Sequence, residues 1–81
     1  MKPDTWAQLK NTTADALIRA LENDGWERRG GSGSRRIYLK AQKLVSIHYH
    51  PKKTYGRGLL SDLLEDIGWN EKDLKRLKLI K

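Results

Sequence analysis

The sequence predicts an α+β fold in which three antiparallel strands form a sheet with two helices on one face. Two segments, 12–25 and 59–68, carry apolar residues at helical spacing. Between them, 34–40 and 44–50 alternate as strands do, and 26–30 is a short partner strand. Consecutive strands with such short connections must be antiparallel. The predicted order is α-β-β-β-α, and both helices need the same face of the sheet to bury their apolar sides.

The first of these helices has a recognisable start and end. Thr12 and Asp15 form the Thr-x-x-Asp pattern that can satisfy free backbone amides at a helix start. Gly25 is expected to take the left-handed conformation that ends the helix. Trp26 follows this glycine and Trp69 follows a similar glycine at the end of the second helix. Both tryptophans are expected to belong to the core.

Short helices are also expected at both ends of the chain. In the lead-in 1–12, Trp6 and Leu9 lie three residues apart and give one apolar side to a helical turn. In 70–81, Asn70 is a good helix cap. The apolar residues of this last segment again lie three apart, at Leu74, Leu77 and Ile80.

The alternation within the strands predicts which side chains remain uncovered by the helices. Pro51, which cannot donate a backbone hydrogen bond, is expected to end the third strand. The side facing the helices is expected to hold Arg35, Ile37, Leu39, Val45, Ile47 and Tyr49. The open side is expected to hold Arg36, Tyr38, Lys40, Ser46, His48 and His50.

The positive charge is concentrated in the middle of the chain. The formal net charge is +7, and the stretch 27–57 alone holds nine Lys and Arg against one acid, Glu27. Such a density is typical of proteins that bind a polyanion, nucleic acid first and acidic membrane or protein surfaces second. A solvated surface kept soluble by its charge is the simpler alternative.

Size and composition exclude several classes of protein. With 81 residues the chain forms one domain with a small core. There is no cysteine, so neither a disulfide framework nor a thiolate zinc site is possible. No apolar run reaches the ~18 residues of a membrane span, and no signal-peptide segment follows Met1. We expect a cytoplasmic protein with no membrane partner and no cofactor.

A glycine-rich loop at 30–34 leads directly into a strand at Arg35. Consecutive amides in such a loop can bind a phosphate. The Walker and dinucleotide-binding loops, however, are followed by a helix and not by a strand. A hairpin turn explains the glycines equally well, so the loop is either a turn alone or a turn that also contacts phosphate.

The two histidines are the candidate catalytic residues. His48 and His50 lie two apart on a strand and therefore project from the same side. One imidazole could take the proton of an RNA 2′-hydroxyl and the other could protonate the leaving oxygen, without a metal. The alternative is that both are ordinary exposed strand residues. A metal site agrees less well with the sequence, because no cysteine and no converging carboxylate completes a ligand set.

Candidate contacts to RNA come from the same basic region. Tyr38 could stack on a base if it lies on the open face. The remaining candidates are the cations Arg35, Arg36, Lys40, Lys52, Lys53 and Arg57.

Four motifs follow one another in a specific order: ALIRALENDGW, GSRRIY, VSIHYHPKK and GRGLLSDLLEDIGW. Their order and spacing over roughly 13–69 resemble the HicA (YcfA-like) toxin family of bacterial toxin–antitoxin systems. The resemblance implies a fold like the double-stranded-RNA-binding domain and a ribosome-independent ribonuclease that cleaves mRNA. It also implies a HicB-type antitoxin partner. Residues 13–69 would then form the RNA-binding and ribonuclease domain, and 70–81 a C-terminal extension.

The chain departs from that family at the catalytic position. The family's catalytic histidine follows a Gly-Ser pair, whereas here Gly33 and Ser34 are followed by Arg35. Arginine stays protonated and cannot act as an ordinary general base, although it can bind phosphate through two N–H groups. Either His50 or His48 performs the proton transfer, or the protein binds RNA and its partner with little cleavage. A basic domain that binds an acidic protein is a third possibility.

Overall fold

The structure, a computed structural model, describes residues 2–50 and 53–81. Pro51 and Lys52, the predicted strand end and one predicted RNA contact, lie outside the described residues. The described helices are α1 (Pro3–Leu9), α2 (Ala14–Asn23), α3 (Arg57–Ile67) and α4 (Glu71–Arg76). The strands are β1 (Glu27–Gly30), β2 (Arg35–Lys40) and β3 (Lys43–His48), and they pair antiparallel in the order β1-β2-β3. The predicted α+β fold with its αβββα core is confirmed.

One apolar core joins the sheet to all four helices. Leu17 and Leu21 of α2 are fully buried in it, as are Ile47 of β3 and Leu74 of α4. Both tryptophans that follow the helix-ending glycines are also buried, which agrees with the prediction. No helix in the described ranges combines the length and the apolar character that a membrane crossing requires.

The helix ends follow the predicted chemistry with one correction. The cap of α2 is Thr13, whose hydroxyl accepts a hydrogen bond from the Ala16 amide at 3.2 Å, and not Thr12. Thr13 is held extended by a bridge to Thr54, so the helix begins one residue later than expected. Gly25 takes φ +93° and ends α2 as predicted. Asn70 caps α4 through a reciprocal pair of hydrogen bonds with Asp73.

The pairing of β2 with β3 shows that the predicted facing of β2 is wrong. Tyr38 lies directly opposite Val45, and Arg36 lies opposite Ile47. Residues directly opposite each other share a face, and both Val45 and Ile47 are buried against the helices. Tyr38 is therefore also in the core, only 1% exposed, and cannot stack on a base. The side chains of Arg36 and Lys40 share this side of the sheet.

The open face of the sheet is consequently different from the one predicted. The facing of β3 is as expected for Ser46 and His48, which are exposed on the open side. The predicted strand 44–50 is too long, because β3 ends at His48 and His50 lies beyond it. The residues of β2 on this open side are Arg35, Ile37 and Leu39, and not the predicted Arg36, Tyr38 and Lys40. The open face holds Arg35, Ile37, Leu39, Leu44, Ser46 and His48.

The two terminal helices hold each other in place. The backbone N–H of Lys2 and the hydroxyl of Thr5 both donate to Glu71 Oε1, at 3.4 and 3.2 Å. These two hydrogen bonds lower the pKa of Glu71. The backbone N–H of Lys81 donates to Gln8 Oε1 at 2.7 Å. The segments before and after the αβββα core are thus linked to each other by hydrogen bonds.

Candidate active site

Two of the predicted site residues meet where the sheet borders the glycine loop. Arg35 begins β2 and lies directly opposite His48, which ends β3. Both side chains are exposed on the open face. Directly opposed residues in an antiparallel pair have Cβ atoms roughly 5 Å apart. A guanidinium and an imidazole are therefore neighbours on an accessible surface.

The side chain of Arg35 is oriented by a neighbour on β3. Its Nε donates to Ser46 Oγ at 3.0 Å. This bond uses only Nε, so the two terminal NH₂ groups can still donate to a further acceptor. Ser46 thus positions the guanidinium on the same face as His48.

The glycine loop is a turn that fits closely against Arg35. Gly31 has φ +118°, and a Cβ at this position would lie 2.1 Å from the backbone oxygen of Arg35. The Arg35 amide donates to Ser32 O at 3.1 Å, and the Tyr49 amide donates to Ser34 O. The hairpin-turn interpretation is correct, and the loop that contains Gly33 and Ser34 is fixed next to Arg35. A phosphate contact of the loop stays a prediction.

His48 and His50 also line one shallow depression at the edge of β3. Its volume is about 170 Å³. The hydroxyl of Tyr55 donates to the carbonyl oxygen of His48 at 2.9 Å and fixes the end of the strand. Burial raises the pKa of Tyr55, so this hydroxyl remains a donor at neutral pH. The other lining residues are Lys53, Thr54 and Leu59.

Arg36 does not belong to this site. Its guanidinium lies over the ring of Tyr49, 3.8 Å from the centroid. The Tyr49 hydroxyl donates to Asp15 Oδ1, and this hydrogen bond raises the pKa of Tyr49. Arg36 therefore stacks beside the start of α2, on the side of the sheet that carries the helices.

Two further cations predicted to bind RNA do not line the histidine depression. Lys40 is at the opposite end of β2, where its Nζ is 3.2 Å from Asp24 Oδ2. Arg57 begins α3, with its guanidinium 5.1 Å from the ring centroid of Trp6. The structure thus brings Arg35 and Lys53 to the two histidines and distributes the other described cations elsewhere.

A partly buried carboxylate that the sequence analysis did not single out joins four elements at the far end of the sheet. Asp24 ends α2 and accepts hydrogen bonds from the indole N–H groups of Trp26 and Trp69, at 3.2 and 2.8 Å. Arg76 NH2 donates to its other oxygen at 2.6 Å. Lys40 completes the cluster, so α2, the β2–β3 hairpin, α3 and α4 are connected through one side chain.

The electrostatics of this cluster favour the charged carboxylate. Burial disfavours the charge of Asp24, whose side chain is 9% exposed, but the hydrogen bonds from Trp69, Arg76 and Lys40 outweigh it. Together they lower the pKa of Asp24 to about 2. The sequence signal for the two tryptophans of this cluster was the repeated Leu-Glu-x-x-Gly-Trp pattern at 21–26 and 64–69. It places both tryptophans directly after helix ends.

The possible metal ligands are dispersed. Within residues 2–50 and 53–81, no group of three His, Cys, Asp or Glu side chains lies close enough to share a metal ion. The two histidines of the depression have a lysine, a threonine, a tyrosine and a leucine as the other lining residues.

The fold and the exposed Arg–His pair define a small basic α+β protein in which the helices leave one face of the sheet open. A family model described as the HicA toxin of bacterial toxin–antitoxin systems matches residues 14–69, more than two thirds of the chain. The protein therefore belongs to the HicA toxin family, and the resemblance seen in its motifs is confirmed. A search of curated proteins finds no significant match. The matched segment runs from the start of α2 to Trp69, so α1 and α4 lie outside it.

Proposed function

We propose that this protein is a toxin that binds mRNA and cleaves it, and that a HicB-like antitoxin neutralises it. One observation carries the proposal: Arg35 lies directly across from His48 on the exposed sheet face, and His50 lines the adjoining depression. The two imidazoles can serve as general base and general acid for RNA cleavage through the 2′-hydroxyl, and the anchored guanidinium can bind the phosphate beside them.

Each residue has a separate role in this reaction. Arg35, held by Ser46, binds the scissile phosphate through its terminal NH₂ groups. His48 accepts the proton of the 2′-hydroxyl, whose oxygen then attacks phosphorus. His50 gives a proton to the departing 5′-oxygen. The products are a 2′,3′-cyclic phosphate and a 5′-hydroxyl, and the charge that develops on the phosphate oxygens is stabilised by Arg35 and Lys53.

The first test is incubation of the purified protein with end-labelled mRNA fragments in the presence of EDTA, next to an Arg35→His variant. We expect both proteins to produce fragments that end in a cyclic phosphate. Intact RNA with both proteins would contradict the proposal, provided that both bind the RNA. The variant also tests whether the family's histidine can act from this position.

A second candidate function is RNA binding without cleavage, in a toxin that has lost its activity and retains its antitoxin surface. It is motivated by Arg35 at the position where the family's catalytic histidine is expected. In this case only Arg35→His would cleave the RNA. The wild-type affinity would still fall steeply with salt, because bound cations are released from the phosphates.

The open sheet face also supports the proposed antitoxin partner. Leu44 is 65% exposed there, and Ile37 and Leu39 are half-buried beside it. A partner that covered these side chains would remove apolar surface from water. It would at the same time block access to Arg35 and His48, which share the face.

Leu44→Asp should therefore weaken neutralisation and leave toxicity intact, because a buried unpaired charge is costly at an interface. We expect co-expression of the HicB-like antitoxin to restore growth with the wild-type toxin and to fail with Leu44→Asp. Gln42→Asp introduces the same charge at the neighbouring hairpin tip and serves as the control. Equal rescue of both variants would show that the antitoxin binds elsewhere.

A further inference from the structure

A second groove lies directly beside the histidine depression. It is formed between α1 and the start of α3 and has a volume of about 330 Å³. Tyr55 lines both the groove and the depression. A single-stranded RNA bound at the histidines could therefore continue into the groove. The lining residues are Pro3, Trp6, Ala7, Lys10, Tyr55, Arg57 and Leu60.

The two sides of helix α1 make different contacts. Thr5 and Leu9 are buried, at 5% and 1% exposure, and attach α1 to the body of the protein. The residues that line the groove follow the spacing i, i+3, i+4 and i+7, so they form a second stripe on the same helix: Pro3, Trp6, Ala7 and Lys10. A helix whose only role was to cover the core would not need an aromatic ring and a lysine on this other side.

Trp6 differs from the other two tryptophans of the chain. Trp26 and Trp69 are 4% and 8% exposed, and their N–H groups are bonded to Asp24. Trp6 packs against the core from outside and keeps part of its indole accessible in the groove. Arg57 lies over its ring, which orients the indole and places a cation beside it.

The groove lining has the chemistry of a site for an unpaired nucleotide. It combines aromatic rings from Trp6 and Tyr55 with the cations Lys10 and Arg57, and none of its lining residues within 2–50 and 53–81 is acidic. Aromatic side chains stack on bases of any sequence, and nearby cations hold the phosphates. Apart from its two cations the lining is mainly aromatic and aliphatic, which favours a stacked base over the polar backbone of an acidic peptide.

We propose that this groove binds an unpaired RNA base next to the phosphate held at the histidines. The proposal rests on the proposed function and adds to it a substrate-binding subsite. Because α1 lies outside the matched segment 14–69, the subsite is a property of this chain's N-terminal helix. Trp6 supplies the stacking surface, and Lys10 and Arg57 neutralise the adjoining phosphates.

The test uses an unstructured single-stranded oligonucleotide with 2′-O-methyl groups, which cannot be cleaved by attack of a 2′-hydroxyl. Binding is followed by the anisotropy of a dye on the oligonucleotide and by tryptophan fluorescence. We expect the oligonucleotide to quench the wild-type fluorescence. Trp6→Phe should bind with an affinity within a few-fold of the wild type and lose the quenching, because the two remaining indoles are buried.

The two cations are tested by charge removal with a matched control. Lys10→Gln and Arg57→Gln should each weaken binding by about threefold to tenfold at low salt and reduce the salt slope by about 1. Lys72→Gln, on the exposed side of α4, removes the same charge away from the groove and should have little effect.

Several results would overturn the proposal. One is quenching in Trp6→Phe as strong as in the wild type. Another is a loss of affinity in Lys10→Gln and Arg57→Gln no larger than in Lys72→Gln. Quenching by a poly-glutamate peptide but not by RNA would assign the groove to a protein partner instead. If the wild type cleaves ordinary RNA and the groove variants cleave it equally well, only the subsite is wrong. If the wild type binds no RNA, both the subsite and the proposed function are wrong.

Discussion

His48→Ala should lower the rate of RNA cleavage by about 10²–10⁴-fold, the usual contribution of a positioned general base. The imidazole is exposed and faces Arg35 across the β2–β3 pair, so its removal leaves the core untouched. The change in the free energy of unfolding should stay within about 0.5 kcal/mol. The measurement is the single-turnover rate with protein in excess, which reports the chemical step.

The assignment of roles is tested by the second histidine. His50→Ala should cause a loss of similar size, and the double variant should be little worse than either single one, because both groups act in one step. Gln42→Ala, at the hairpin tip, serves as the control and should cleave at the wild-type rate. An inactive His50→Ala beside a fully active His48→Ala would show that the pairing with Arg35 is not used in catalysis.

Asp24→Asn should lower the free energy of unfolding by about 1–3 kcal/mol, since removing the charge from this partly buried cluster leaves hydrogen-bond donors without their acceptor. The carboxylate has two indole N–H groups and two cations around it, and an amide cannot satisfy all of them. Denaturant unfolding at pH 7 measures the difference. Asp66→Asn, an exposed carboxylate on α3, is the matched control and should change the stability by less than about 0.5 kcal/mol.

The effect of Asp24 should also depend on pH in a defined direction. Its pKa in the folded state is about 2, below the value of about 3.9 expected for an unfolded aspartate. The stabilisation is therefore complete above about pH 5 and is lost as the pH falls through the folded-state pKa of about 2. The gap in unfolding free energy between wild type and Asp24→Asn should shrink across this window. A gap that is equal at pH 7 and pH 2 would contradict the ionic role of this carboxylate.

The facing of β2 could have been predicted from the hairpin that follows it. The connection between β2 and β3 leaves Ala41 and Gln42 between the paired residues Lys40 and Lys43. A two-residue loop fixes the register, and the register places Tyr38 opposite Val45. The prediction instead assigned Ile37 and Leu39 to the side of the helices because they are aliphatic. In the structure both are half-buried on the open side. A shift of one position in a strand exchanges every side chain between the faces.

The candidate active site was predictable in part. The glycine loop, the two histidines and Arg35 were all identified from residue types and spacing, but the direct opposition of Arg35 and His48 depends on strand register. The Asp24 cluster could not be predicted in this way. Its partners Trp69 and Arg76 lie 45 and 52 residues away along the chain, and only the folded structure brings them together.

The contact between α1 and α4 bears on how the two ends of the chain depend on each other. Glu71 binds the first turn of α1, while Leu9 and Leu74 enter the same core from the two segments that flank the matched region. Loss of either segment alone would uncover apolar surface on the other and break their shared hydrogen bonds. We therefore expect the two flanking segments to open and close as one cooperative unit, so that protection of α1 against hydrogen exchange depends on an intact α4.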